Sequence, residues 1–332
     1  MNFNEFVNQV QEDLTKYLPE KYQNIETSVR PFEKMNASYT GLFINNYEKV
    51  CPVVNLDVHF QDYYFCSSYE NVMLNLADSI IQALEHAPKE KHLDPANWMH
   101  NLQIGLVSTE RNKELLKDMP HKEIGDISLV YYIDVLSDEE GKGTIMIKNH
   151  IMQEMGLDEE QLHQAAIQLS VVNEPCKILN LESFPEICLE RMAEIYVVTN
   201  QSGIFGASAL FYPGTMERCA EALNGDYFVL PSSRHEMLLL ADDGTHDYMY
   251  LQVMVKEINS TVVASIDFLS DTVYHYDHKE RVFEMAEKYE ERKRNRSSVI
   301  DHLIGKKQEL MDKNHFARNQ ETGIRHRQGM SL

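Results

Sequence analysis

The 332-residue chain has 43% hydrophobic residues and, with 52 acidic and 31 basic side chains, a formal net charge of −21. That apolar fraction supports a folded core, and no apolar run approaches the roughly 20 residues that span a bilayer. The N-terminus lacks a basic segment followed by an apolar one, so we expect no secretory signal and a cytoplasmic location. Five scattered cysteines without a C-x-x-C motif fit a reducing compartment.

The charge is unevenly distributed along the chain. Residues 279–332 hold 13 basic and 9 acidic side chains, which leaves 18 basic and 43 acidic ones in residues 1–278. An acidic body repels phosphate backbones, so we expect it to bind nucleic acid poorly, and its acidic surface is suited to a basic protein partner. The run Glu290–Arg296 could bind nucleic acid, or it could be a solvated helix whose charges pair internally or with the body.

The first 90 residues predict a compact α+β unit. Residues 3–18 carry apolar side chains at helical spacing, and Tyr69–Ala87 repeats that pattern. Between these helices, Ile25–Phe32 and Tyr39–Asn45 are predicted strands. Val53–Phe60 alternates apolar and polar residues, which predicts a third strand.

A charged linker over residues 88–95 precedes a predicted middle segment, residues 91–185. It combines three strands, Ile104–Ser108, Asp126–Leu136 and Thr144–Lys148, with helices over Pro95–Gln103, Glu110–Lys117 and His150–Gln168.

Residues 186–278 predict a third α+β unit. Strands are expected at 195–199, Ala207–Tyr212, Asp226–Pro231, Glu236–Ala241, Ala264–Ser270 and Val273–His275, with helices at Thr215–Leu223 and Tyr248–Asn259. The first two strands predict a hairpin around Asn200–Gly206. Residues 279–332 predict a charged helical, partly disordered tail. The predicted fold class is therefore α+β, with successive small antiparallel sheets each packed with helices.

Four segments resemble a known bacterial family. DMPHKEIGDISLVYYIDV, YVVTNQSGIFGASALFY, DYFVLPSSRHEMLLL and LSDTVYHYDH, with NLDVHFQDYYF nearer the N-terminus, resemble the family catalogued as domain of unknown function 5688. The resemblance covers about residues 1–280. GDYFVLPSSR is more loosely similar to the uncharacterised YtpQ-like family. Neither resemblance implies an activity or a catalytic residue.

The segment Pro231–Glu236 places Ser233, His235 and Glu236 within a few residues. A nucleophile needs a base within hydrogen-bond reach and a carboxylate behind that base. On a continuing strand, Ser233 and His235 would share one face while Arg234 and Glu236 share the other. The alternative is a junction where serine hydroxyls bond backbone groups.

Two segments of the sequence contain candidate metal ligands. His235-Glu236 begins an H-E-x-x-H motif, but Leu239 occupies the position of the second histidine, so zinc-protease chemistry is rejected. His275 and Asp277 lie on one predicted face and could join other ligands around a transition metal. The pattern favours the alternative, a polar strand end that leads into the tail, and we expect no metal and no cofactor.

Two functions are consistent with these patterns. The first is a non-enzymatic binding or adaptor protein with an acidic surface. The second is a hydrolase-like enzyme of unrecognised type that uses Ser233 and His235, with Arg234, Glu236, His275 and Asp277 as candidate binding residues. The sequence favours the first and leaves the oligomeric state open.

Overall fold

Three antiparallel sheets, each covered by helices, make up the fold. The structure is a computed structural model that describes residues 1–45, 51–65, 68–85, 95–138, 141–181, 195–298 and 306–307. The α+β class with successive small antiparallel sheets is confirmed. Within these ranges, no helix has both the length and the apolar composition that crossing a bilayer requires.

The first sheet has the order β1-β2-β3, with β1 at Glu26–Lys34, β2 at Ala37–Asn45 and β3 at Val53–Asn55. Three helices pack on it: α1 (Phe3–Tyr17), α2 (Leu56–Phe65) and α3 (Tyr69–Glu85). At the start of α1 the side chain of Asn2 accepts a hydrogen bond from the N–H of Glu5, and the carboxylate of Glu5 accepts one from the N–H of Asn2, which satisfies two otherwise unpaired N–H groups. The apolar face of α1 packs into a core that this unit forms by itself.

The predicted strand over Val53–Phe60 is wrong after Asn55. The carboxamide oxygen of Asn55 accepts a hydrogen bond from the N–H of Asp57, at 2.9 Å, and so caps the helix α2. Leu56 and His59, which are three residues apart and so share one face of that helix, are both buried. The same segment therefore fits a helical spacing as well as the strand alternation.

The second sheet comprises β4 (Leu102–Ser108), β5 (His121–Ile124), β6 (Ile127–Asp138) and β7 (Gly141–Met146), with β6 paired to the other three. Its helices are α4 (Pro95–Trp98), α5 (Lys113–Leu116), α6 (Asn149–Glu154) and α7 (Glu159–Asn173). The predicted single helix His150–Gln168 is therefore two helices. Gly156 has φ +69° between them, and Asp158 caps the second.

The third sheet is the largest, with six strands in the order β13-β12-β10-β11-β9-β8. They are β8 (Lys177–Asn180), β9 (Ile195–Thr199), β10 (Tyr227–Ser233), β11 (Glu236–Ala241), β12 (Tyr274–Asp277) and β13 (Val282–Met285). Helices α8 (Thr215–Ala222), α9 (Tyr248–Thr261) and α10 (286–298) accompany it. The main hydrophobic core joins this sheet to the second one.

Two predicted strands of the third unit are wrong. Gly206–Phe211 is a buried 3-10 helix, because the N–H of Ala207 and the hydroxyl of Ser208 bond to neighbouring chain segments rather than to a strand partner. The predicted hairpin around Asn200–Gly206 therefore lacks its second strand. Residues 264–270 contain only the short 3-10 helix Ser265–Asp267.

Two strands of the third sheet lie outside the predicted third unit. β8 falls in the predicted middle segment, and β13 falls in the residues predicted as a helical tail. Helix α10 does follow β13, whereas residues 299–305 and 308–332 of the predicted tail, including its part predicted to be disordered, lie outside the described residues. The division at residues 90, 185 and 278 stays a prediction.

The tip of the β1–β2 hairpin fastens the first unit to the other two. Met35 is buried there against side chains of the second sheet. The neighbouring Asn36 donates hydrogen bonds to the carbonyl oxygens of Ile266 (2.9 Å) and Phe268 (2.6 Å). Its N–H and its carboxamide oxygen each bond to the carboxamide of Asn112, both at 2.7 Å.

Asn36 also has φ +59°, a left-handed conformation that asparagine and glycine tolerate better than other residues. We expect Asn36→Gly to lower the free energy of unfolding by about 2 kcal/mol, because the buried carbonyl groups lose their donors. Asn36→Ala should cost about 1 kcal/mol more, since alanine disfavours that φ. Urea unfolding measures both, and two variants within about 0.5 kcal/mol of the wild type would contradict a fastening role.

Candidate functional site

A cavity of about 490 Å³ lies where the three units meet. Its volume is within the roughly 300–1,000 Å³ that small-molecule sites occupy. Every unit contributes to the wall. The lining residues are Phe32, Lys34, Met35, Tyr39, Cys51 and Val53 from the first, Tyr132, Thr144 and Met146 from the second, and Phe205, Arg234, His235, Ile266 and Asp267 from the third.

Arg234 is the buried charge of this cavity. It lies in the turn between β10 and β11 and is only 6% exposed. Its Nη2 donates to the hydroxyl of Tyr132 at 3.2 Å, and its guanidinium carbon lies 4.3 Å from the centre of the Phe205 ring. Its Nε is buried without an acceptor, and the guanidinium forms no ion pair with any carboxylate that the structure describes.

Burying the charge of Arg234 at this position costs free energy of folding. Removing a charged group from water costs several kcal/mol unless an opposite charge or hydrogen bonds compensate it. The hydroxyl of Tyr132 and the ring of Phe205 supply only part of that compensation. Burial raises the pKa of Tyr132, although Arg234 opposes the shift, and the hydroxyl therefore supplies no negative charge at neutral pH.

Aromatic stacking holds the wall around Arg234. The ring of Phe205 is parallel to that of Tyr132, with centres 4.8 Å apart, and is also parallel to the imidazole of His235 at 6.3 Å. Phe205 reaches this position with φ +57°, a conformation that costs a non-glycine residue about 1–3 kcal/mol. Backbone strain of this kind is concentrated at functional sites.

Gly206 explains how the chain passes so close to the turn. A Cβ at this position would lie 2.5 Å from the carbonyl oxygen of His235, which no side chain could tolerate. The hydroxyl of Thr199 donates to that same oxygen at 2.8 Å. The β10–β11 turn and the segment carrying Phe205 are therefore locked together.

His235 is oriented by two hydrogen bonds. Its Nδ1 accepts from the N–H of Phe205 at 3.3 Å, which places the proton on Nε2. Nε2 then donates to Oδ1 of Asp267 at 3.0 Å. With both ring nitrogens engaged, this imidazole is placed to hold the wall of the cavity rather than to take a proton from a ligand.

The other two predicted residues of this segment, Ser233 and Glu236, pair with each other across the start of the β10–β11 hairpin. The hydroxyl oxygen of Ser233 accepts from the N–H of His235 at 3.1 Å, because residues 233–236 form a hairpin turn rather than a continuing strand. Glu236 is exposed at the start of β11 and lies outside the cavity lining. The strand parity expected for this segment is therefore wrong.

His275 and Asp277 lie elsewhere. His275 pairs in register with Phe228, five residues before Ser233 on β10, so it is roughly 17 Å along the strand from the turn. It is fully buried, bonds through Nε2 to Asp242 at 3.0 Å, and stacks on Tyr289 with ring centres 3.5 Å apart. The hydrogen bond from His275 lowers the pKa of Asp242.

Asp277 binds the residues predicted as a basic tail. Its carboxylate accepts from Nη2 of Arg292 at 3.1 Å, and Arg292 also pairs with Glu280 and Glu284. Arg296 pairs with Glu280 as well. Across the described residues, no group of three histidine, cysteine or carboxylate side chains has the geometry to hold a metal ion.

The family comparison agrees with the resemblance seen in the sequence. The sequence model of the Family of unknown function (DUF5688) matches residues 3–278. The chain belongs to this family. No curated protein and no solved structure shows a match to the chain. The looser YtpQ-like resemblance stays a prediction.

The uncompensated charge leads to a stability prediction. We expect Arg234→Met to leave the free energy of unfolding unchanged or to raise it by up to ~3 kcal/mol, because an apolar side chain of similar length avoids the desolvation cost. Tyr132→Phe, which removes an acceptor but keeps the charge, should instead lower it by about 1–3 kcal/mol. A loss above ~2 kcal/mol for Arg234→Met in urea unfolding would mean that Arg234 serves to hold the fold.

Proposed function

We propose that this protein is a non-enzymatic, bacterial, cytoplasmic binding protein that holds a small anionic ligand against Arg234. The observation that carries the proposal is an arginine, only 6% exposed, on a cavity wall, whose guanidinium has no carboxylate partner among the described residues. Buried charges in proteins are paired, so an anion from solution supplies the missing partner. An arginine fork is well suited to carboxylate or phosphate oxygens.

The surroundings favour capture of an anion inside an otherwise acidic protein. Lys34 adds a second cation to the wall, and the one acidic residue of the lining, Asp267, is bonded to His235. The cavity is thus locally positive although the chain carries −21. The acidic exterior repels anions, whereas the positive lining of this cavity attracts them.

The contacts at His235 support binding rather than hydrolysis. A hydrolase using Ser233 and His235 needs the hydroxyl directed at a ring nitrogen that is able to take its proton. In this turn the hydroxyl oxygen bonds to a backbone N–H, and Nδ1 and Nε2 bond to Phe205 and Asp267. An adaptor role with a basic protein partner stays a prediction from the net charge.

Thermal unfolding and titration calorimetry with a panel of small anions test the proposal. The panel contains acetate, aromatic and aliphatic carboxylates, phosphate, phosphate esters and sulfonates. We expect at least one class to raise the melting temperature of the wild type, because a ligand that binds the folded state stabilises it. Arg234→Met should weaken that binding at least ~30-fold, the effect of removing one partner of a buried charge pair.

Arg218→Met is the matched control, because it removes the same charge from an exposed position on α8. This variant should respond to the anions as the wild type does. The proposal is overturned if no anion of the panel binds the wild type, or if the anions bind Arg234→Met and the wild type equally.

A further inference from the structure

The part of the cavity wall that the first sheet contributes is aromatic and apolar. Phe32 and Tyr39 are direct partners across β1 and β2, with ring centres 5.3 Å apart and planes at 51°. Both are half-buried and line the cavity beside Val53. The rings of Tyr132 and Phe205 are already stacked on each other. The Phe32–Tyr39 pair, in which Phe32 also contacts the ring of Phe43, is the aromatic surface that the first sheet gives to the cavity.

The charge of the lining selects a single negative charge. Arg234 and Lys34 are cationic, and Asp267 is anionic. These two cations and one carboxylate sum to a formal charge of +1, and the ring nitrogens of His235 already bond to Phe205 and Asp267. A monoanion neutralises this wall, whereas a dianion leaves one charge without a partner in a largely apolar cavity.

The backbone of the lining argues against phosphate. Phosphate sites commonly use the free N–H groups at the start of an α-helix. Every lining residue instead lies in a strand, in a turn or segment next to one, or in the 3-10 helix Ser265–Asp267. The planar fork of Arg234 matches the two oxygens of a carboxylate.

We infer that the ligand is a monocarboxylate on a flat aromatic body, with the carboxylate at Arg234 and the ring against Phe32 and Tyr39. This inference rests on the proposed function and names its ligand class. The volume of about 490 Å³ accommodates a body of two fused rings. Apolar and aromatic walls with a few fixed polar groups are the usual composition of such sites.

A series of four compounds tests the inference by titration calorimetry on the full chain. 2-Naphthoate carries both features, 2-naphthamide lacks the charge, 2-naphthyl phosphate replaces the carboxylate by a dianion, and decanoate replaces the ring by a flexible chain. We expect 2-naphthoate to bind most tightly. The amide should bind at least ~30-fold more weakly, and decanoate about 10-fold more weakly.

Phe32→Leu separates the ring contact from the charge contact. It should weaken 2-naphthoate binding by about 5- to 10-fold while changing decanoate binding less than about 2-fold. Circular dichroism checks that the Phe32→Leu variant is folded. If it is not, the four compounds measured on the wild type still test the ligand class.

The inference is overturned if 2-naphthyl phosphate or decanoate binds the wild type as tightly as 2-naphthoate. Arg234-dependent binding of either would still support the proposed function, which fails only if no anion depends on Arg234.

Discussion

The cavity exists because the β1–β2 hairpin is fastened across the other two units. Asn36 donates to two carbonyl oxygens of residues 266–268 and exchanges two hydrogen bonds with Asn112, so three distant parts of the chain meet at one side chain. Met35 is buried beside them in a separate small core. Without this attachment, the Phe32–Tyr39 wall would have no fixed position relative to Arg234. The geometry of the site is thus a property of tertiary docking rather than of any single segment.

Two energetically costly features of the fold lie at the same place. Phe205 has a left-handed backbone, and Arg234 is a buried cation without a carboxylate among the described residues. Elsewhere the charges are well matched: Arg292 binds three carboxylates, and Asp126 accepts hydrogen bonds from the hydroxyls of Ser270, Thr272 and Tyr274. Arg234, by contrast, is a buried cation that no carboxylate of the described residues neutralises, which makes this cavity the candidate functional site.

The sequence alone predicted the fold class and the positions of most strands, because short apolar runs such as those of β10 and β11 reflect their burial directly. It failed where a local polar contact outweighed the pattern. Asn55 caps a helix inside an alternating run, and the carbonyl groups of residues 266–268 are bound by Asn36 rather than by a strand. Both effects depend on one side chain and leave the hydrophobic period unchanged.

The sequence leads only in part to this candidate cavity. Its mixture of polar residues draws attention to the segment containing Arg234 and His235, with Ser233 as the expected nucleophile. Tyr132, Phe205 and Asp267 were missed, because each lies about 30 or more residues away in the chain and carries no motif. The positive φ of Phe205 and the close approach of Gly206 to His235 become visible only in three dimensions.

The central claim is that Arg234 binds an anion from solution. Anomalous scattering from crystals of the wild-type protein soaked in sodium bromide tests it most directly. Bromide is a small monoanion that can replace a bound carboxylate in contact with a guanidinium. We predict a bromide peak in hydrogen-bond contact with Arg234, and no such peak in crystals of Arg234→Met. A cavity without bromide while exposed sites are occupied, or an Arg234 paired with a carboxylate of the protein itself, would contradict the account.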